Sequence, residues 1–257
     1  MLLAVDVGNT NIVFAIFNGD ELCGKWRIST DTRRTEDEYA ILLSGMMEMQ
    51  GLTFSDVKDV IVSSVVPQNM RALERFCSQY FQATPMVVGD KGVKLGIKVL
   101  TDTPGEVGAD RLVNAVAAYQ AYRAACIVID FGTATTFDVV NEDGDYIGGL
   151  IAPGINLSMD ALHAAAAKLP EVSVERPHKV IGKSTVSAMQ AGIYYGYVGL
   201  IEGIVERIRK EMKQMEMPTV ATGGLVPLFS GDTPAITHVD EELTIKGLHL
   251  IYKMNKA

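Results

Sequence analysis

The chain has 257 residues, of which 48% are apolar and 21% charged, an ordinary globular composition with length enough for two modest domains and a real core. Its formal charge of −8, with no stretch that concentrates Lys and Arg among aromatics, argues against nucleic acid, which needs a basic footprint to neutralise phosphates. Three scattered cysteines without a CxxC pair and four histidines without ligand spacing argue against a disulfide framework and a zinc site.

In chain order, the opening MLLAVDVGNT lacks the basic start and small-residue cleavage site of a signal peptide. Apolar runs such as residues 124–129 are far shorter than the roughly 20 residues a bilayer span needs. A cytoplasmic protein with no membrane partner is expected. Residues 4–11 read AVDVGNTN: an apolar run, Asp6-x-Gly8, a polar pair, then a second apolar run over 12–17. This is the pattern of a β-hairpin, and residues 22–29 supply a third strand. Thr35 with Glu38 forms a capping box, so a helix is predicted from there, with Ile41, Leu42, Met46 and Met49 as its apolar face. Residues 60–65 predict a buried strand ended by Pro67, and 70–81 a helix. Residues 109–123 predict an amphipathic helix with Leu112, Val113, Val116 and Tyr119 on one side.

The hairpin pattern then returns. VIDFGTAT over residues 128–135 repeats AVDVGNTN at an offset of 124 residues, from Asp6 to Asp130, close to half the chain. A second apolar run (136–140) and a third strand (146–151) follow. Residues 184–212 predict long helical material interrupted near Gly192 or Gly196. A short strand over 220–222 runs into Gly223 and Gly224, and a helix follows Glu241. The alternation gives an α/β class, and the duplication predicts two similar domains, 1–115 and 116–257.

A glycine in such a turn lets the backbone approach a phosphate, because no Cβ stands in the way. The turn amides and the Thr10 hydroxyl can donate to phosphate oxygens, while Asp6 at the strand end can hold Mg²⁺ through water. The second copy offers Asp130, Gly132 and Thr133. One copy alone reads equally as a tight turn rich in Gly and Asn, whereas two copies retaining Asp-x-Gly favour a clamp on a polyphosphate. Gly182-Lys183-Ser184-Thr185 imitates the end of a Walker A loop, but the position of its first glycine is Pro177, so a capped helix start is the better reading. Asp110, just after Gly108 and Ala109, opens a helix. It can complement the helix dipole, or it can orient a hydroxyl and take its proton in phosphoryl transfer; the residue alone leaves both open.

Taken together, residues 6–11 (DVGNTN), 26–30 (WRIST) with Arg34, Thr35 and Glu38, 107–111 (VGADR), 130–134 (DFGTA) and 148–154 (GGLIAPG) resemble the type III pantothenate kinases. Lys183 to Thr185 and Ala221 to Gly224 follow in the same order. The resemblance implies the duplicated ribonuclease H-like, actin-like fold of the acetate and sugar kinases, two halves around a cleft, in a homodimer. It implies ATP-dependent phosphorylation of pantothenate, the first step of coenzyme A synthesis. By position it implies that Asp6, Val7, Gly8, Asn9, Thr10, Asn11 and Thr133 hold the ATP phosphates, with Mg²⁺ at Asp6. It implies that Gly108, Ala109, Asp110 and Arg111 bind pantothenate, with Asp110 as proton acceptor. Asp130 would ligate a monovalent cation, K⁺ or NH₄⁺, and Thr185 would reach the substrate from the neighbouring subunit. Many members carry Tyr where this chain has Thr101. A related small-molecule kinase, a non-catalytic regulatory relative and an actin-like filament former are the alternatives.

Overall fold

The computed structural model describes residues 1–165 and 169–256. The chain divides into two compact units, one made of Met1–Ala117 with the C-terminal segment from Leu243, the other of Ala118–Glu242.

The first unit opens with β1 (Leu2–Val7) and β2 (Asn11–Asn18), the expected hairpin, followed by β3 (Glu21–Ser29). After α1 (Glu36–Glu48) come β4 (Asp59–Ser64), α2 (Pro67–Phe81) and β5 (Met86–Val87), giving a sheet in the order β3-β2-β1-β4-β5. β1 is central, antiparallel to β2 and parallel to β4. Its position explains its near-continuous apolar run, which must satisfy both sheet faces. Leu3, Val5 and Val7 face the layer holding α1 and α2. Leu2 and Ala4 face the opposite layer, where Val113 and Val116 of α3 (Ala109–Tyr122) pack.

Thr35 caps α1 with the predicted box, its side chain accepting from the Glu38 N–H while the Glu38 carboxylate accepts from the Thr35 N–H. The buried face differs from the one predicted. Tyr39, Ala40, Leu43 and Met47 turn inward, while Ile41 and Met49 are 72% and 77% exposed. The rotation follows Tyr39, whose ring packs near Phe14 and Phe76 and whose hydroxyl accepts from Asn69 Nδ2 at 2.7 Å. An aromatic with a polar tip outweighs the spacing of the aliphatic residues.

The second unit repeats the plan. β6 (Cys126–Phe131), β7 (Ala134–Val140) and β8 (Tyr146–Pro153) precede α4 (Ile155–Ala165), α5 (Thr185–Met212), β9 (Thr219–Thr222), α6 (Val226–Phe229) and β10 (His238–Val239). The sheet order is β10-β9-β6-β7-β8, the topology of the first sheet. α5 runs unbroken through Gly192 and Gly196. Its buried stripe of Tyr194, Tyr197, Ile201, Val205 and Ile208 packs on Ile127, Ile129 and Phe131. That packing outweighs the roughly 1 kcal/mol each interior glycine costs relative to alanine.

The expected second half ran from residue 116 to the end of the chain. Instead α7 (Leu243–Lys256) joins the first unit, placing Ile245, Leu248 and Ile251 against Leu2, Ala4 and Val113. Gly247 makes this possible, because a Cβ there would lie 2.3 Å from the Val113 carbonyl oxygen.

Candidate functional site

The first hairpin turns at Gly8, Asn9 and Thr10. The Gly8 N–H donates to the Asn11 carbonyl at 2.9 Å, closing the turn, while Asn9 and Thr10 stand exposed. Thr30, the residue after β3, holds the turn from behind. Its Oγ1 donates to the Gly8 carbonyl at 2.6 Å and its N–H to the Thr10 carbonyl at 2.9 Å. The Val7 side chain is fully buried in the core, so only its backbone faces the turn.

Asp6 lies in register with Ser63 of β4, near the C-terminal ends of both strands. Side chains alternate along a strand, so Asp6 shares its face with Leu2 and Ala4, the face covered by α3. Ser63 is fully buried and its Oγ has no hydrogen-bond partner, which leaves a hydroxyl oxygen beside Asp6 for a hydrated cation. A carboxylate with a neighbouring hydroxyl suits Mg²⁺, which keeps several waters and takes few protein ligands.

Asp110 stands in the first turn of α3 on that same face. Its Oδ1 accepts from the Arg111 N–H at 2.8 Å. Burial pushes the carboxyl above its ordinary value, against the backbone N–H and the charge of Arg111, which pull it down. Gly108 makes the room. A Cβ at that position would fall 2.5 Å from Asp110 Oδ1 and 3.5 Å from Val65 Cγ1. Val65 in turn donates its N–H to the Val7 carbonyl at 3.0 Å. Gly108 therefore lies close to Val65, whose backbone bonds the end of β1 beside the hairpin. The structure thus brings residues 6–11 and 108–111 together within one unit.

Asp130 and Thr133 belong to the other unit. Asp130 is in register with Thr136 and Thr222, and the Gly132 N–H donates to the Ala134 carbonyl at 3.0 Å. Gly223 follows β9 at φ 98°, and a Cβ there would meet Asp130 Oδ1 at 2.7 Å and the Phe131 carbonyl at 2.6 Å. Gly154, after β8, backs the loop so closely that a Cβ would lie 2.2 Å from the Thr133 carbonyl. Thr185 is the first residue of α5 and exposed, with Ser184 as the cap. Thr101 Oγ1 is buried without a hydrogen-bond partner.

Two residues that touch the hairpin backbones, Thr30 and Gly154, were not among the expected site residues. Each sits at the end of a motif that carried the resemblance, but the contact each makes depends on the third strand returning beside its hairpin.

A family model described as type III pantothenate kinase matches residues 2–207. The chain belongs to the type III pantothenate kinase family. A type III pantothenate kinase from Paramagnetospirillum magneticum is 56% identical over 257 residues, covering 100% of this chain and 98% of that protein. One from Rhodospirillum rubrum is 54% identical, covering 100% and 99%. One from Bacillus cytotoxicus is 51% identical, covering 99% and 97%. Among solved structures, a Campylobacter jejuni protein assigned to the Baf family of transcriptional activators aligns with a TM-score of 0.62 at 16% identity, over 99% of this chain and 98% of that one. A Sinorhizobium meliloti protein assigned as a 2-dehydro-3-deoxygalactonokinase aligns with a TM-score of 0.60 at 13% identity, over 99% and 96%. At such identities the likeness speaks for the fold alone. That fold is the duplicated actin-like α/β architecture expected, and the repeated sheet topology agrees with it. Among the described residues no helix is long and apolar enough to cross a membrane.

Proposed function

We propose that this pantothenate kinase family member transfers the γ-phosphoryl group of ATP to the primary hydroxyl of pantothenate, giving 4'-phosphopantothenate, the first step of coenzyme A synthesis. The observation that carries the mechanism is the desolvated Asp110 carboxyl on the same sheet face as Asp6, in a segment whose Gly108 lies close to Val65 at the end of β1. Phosphoryl transfer needs little covalent help, so positioning and charge stabilisation dominate. Asp110 orients the attacking hydroxyl and accepts its proton, and desolvation raises its basicity toward the working pH. Gly108, Ala109 and Arg111 frame pantothenate around it. The turn amides of residues 7–11, with the hydroxyls of Thr10 and Thr133, hold the ATP phosphates. Mg²⁺, when bound, neutralises phosphate charge, and Asp6 holds it through water.

Asp130 serves a monovalent cation, K⁺ or NH₄⁺, under the cover of Gly223. The working species is a homodimer in the cytoplasm, in which Thr185 from a second copy of the chain reaches the substrate. The test is ADP release with ATP, Mg²⁺ and pantothenate, run in K⁺ and again in Na⁺ buffer. Turnover that requires both pantothenate and K⁺ supports the whole reading. Turnover in Na⁺ equal to that in K⁺ removes the cation from it, and silence in both buffers from folded protein overturns the reaction.

A further inference from the structure

We propose that Thr30 and Gly154, the residues directly after the third strand of each sheet, are positioning residues that set the two phosphate hairpins. This rests on the reading that those hairpins hold the ATP phosphates.

In the first hairpin, peptide planarity links each held carbonyl to the amide that follows it. The described chain has no cis peptide bonds, so each carbonyl points opposite to the N–H that follows it in the same peptide plane. Thr30 Oγ1 draws the Gly8 carbonyl toward β3, and the Asn9 N–H must then point the other way. The Thr30 N–H draws the Thr10 carbonyl in the same fashion, so the Asn11 N–H points away from β3. One residue thereby fixes two of the peptide planes around the exposed tip. A turn left to itself would let these planes rotate, and an amide that must rotate before binding contributes less to holding a phosphate.

The second hairpin receives the same support by other means. Thr30 follows β3, which pairs with β2; Gly154 follows β8, which pairs with β7 in the equivalent place. Here the approach is backbone against backbone. A Cβ at Gly154 would lie 2.2 Å from the Thr133 carbonyl and 2.9 Å from that of Gly132, distances real Cβ atoms do not show. Both obstructing atoms are main chain, so any side chain at 154 must push the 132–133 loop outward. The Gly154 carbonyl is itself held by the Ser158 N–H at 2.9 Å and the Ser158 Oγ at 3.0 Å, which limits how far it can retreat.

The test compares full-length wild type with Thr30→Val, Thr30→Ser, Gly154→Ala and Asp6→Asn, measuring KM for each substrate and ATP affinity by titration calorimetry. Losing the one hydroxyl bond in Thr30→Val should raise KM for ATP about three- to tenfold. KM for pantothenate should stay level, and Thr30→Ser should restore the wild-type value. A loop displaced by about 1 Å in Gly154→Ala should lower kcat/KM for ATP by up to about a hundredfold. A merely structural role would move both KM values together and leave Ser no better than Val. Unchanged ATP binding in Thr30→Val, alongside weakened binding in Asp6→Asn, refutes the positioning role while sparing the hairpin as a phosphate site. Unchanged binding in both refutes the phosphate site itself. Should Thr30→Val not fold, Gly154→Ala decides alone, and an unaltered KM for ATP there overturns the proposal.

Discussion

Asp110→Asn is the most informative single change. Asn keeps the size of the side chain and can still accept the Arg111 N–H that Oδ1 now accepts at 2.8 Å, so the start of α3 is preserved. What disappears is the ability to take a proton. Turnover should fall by about 10²- to 10⁴-fold, the range a positioned general base supplies. ATP affinity should hold, because the hairpin is shaped by Gly8, Asn11 and Thr30 rather than by α3. The raised folded-state pKa adds two signatures. In wild type, kcat/KM for pantothenate should rise with pH as Asp110 ionises, with a midpoint above the ordinary carboxylate value of about 4, and the variant should lack that limb.

The stability effect of Asp110→Asn has a definite sign. A folded pKa above the unfolded one means that the ionised carboxylate is disfavoured in the fold. The resulting cost is absent below the unfolded pKa, where both states are protonated, and is fully present once the pH exceeds the folded pKa. Asp110→Asn should therefore melt higher than wild type at neutral pH, with the difference fading in acid. Calorimetry across pH, together with single-turnover kinetics, checks both signatures. Near-normal turnover, or a lower melting temperature at neutral pH, would refute the role.

Four further changes probe the frame that carries the site. Gly247→Ala improves helix propensity by about 1 kcal/mol, yet its Cβ would meet the Val113 carbonyl at 2.3 Å; overpacking should win, lowering stability by about 1–3 kcal/mol in urea titration. Phe229→Ala removes a fully buried ring stacked near Phe131 and Tyr197, and should cost about 3–5 kcal/mol by the same titration. Thr35→Ala deletes the α1 cap and should cost about 1 kcal/mol, with Glu38→Gln milder because the box keeps an acceptor; thermal melts rank the two.

What could be read from residues was the part governed by local chemistry. The two hairpins, the Thr35 box, the Ser184 cap and the failure of the Walker-like Gly182 to Thr185 stretch all depend on neighbours within a few positions. What could not be read was decided by distant partners. The α1 helix left Ile41 and Met49 exposed and buried Tyr39, whose hydroxyl meets Asn69, 30 positions away. α5 kept its glycines because a stripe of tyrosines and β-branched residues found a sheet. α7 crossed back to the first unit because Gly247 matches Val113, a fit invisible until both helices exist. The same limit applied to the site. Asp6, Asp110 and Asp130 are candidates by type and motif, whereas the contacts of Thr30 and Gly154 are to loops more than 20 positions away.

The carboxyls differ in how the fold treats them. Asp20, Asp31, Asp56 and Asp59 are each held below the ordinary range by a bonded partner: Lys253, Arg33, the Thr53 N–H and Lys256 in turn. Asp138, fully buried in β7, is satisfied by the hydroxyls of Tyr146 at 2.8 Å and Thr136 at 2.9 Å. These are carboxyls for which the fold supplies partners. Asp110 runs the other way: burial outweighs the help it receives from Arg111, and its carboxyl is pushed up. A fold selected for stability alone would relieve such a group, since a neutral isostere fits the same space. Its placement at the helix start, beside a Gly108 that has no Cβ to crowd it, is consistent with the proposed role of proton acceptor and is not required by packing.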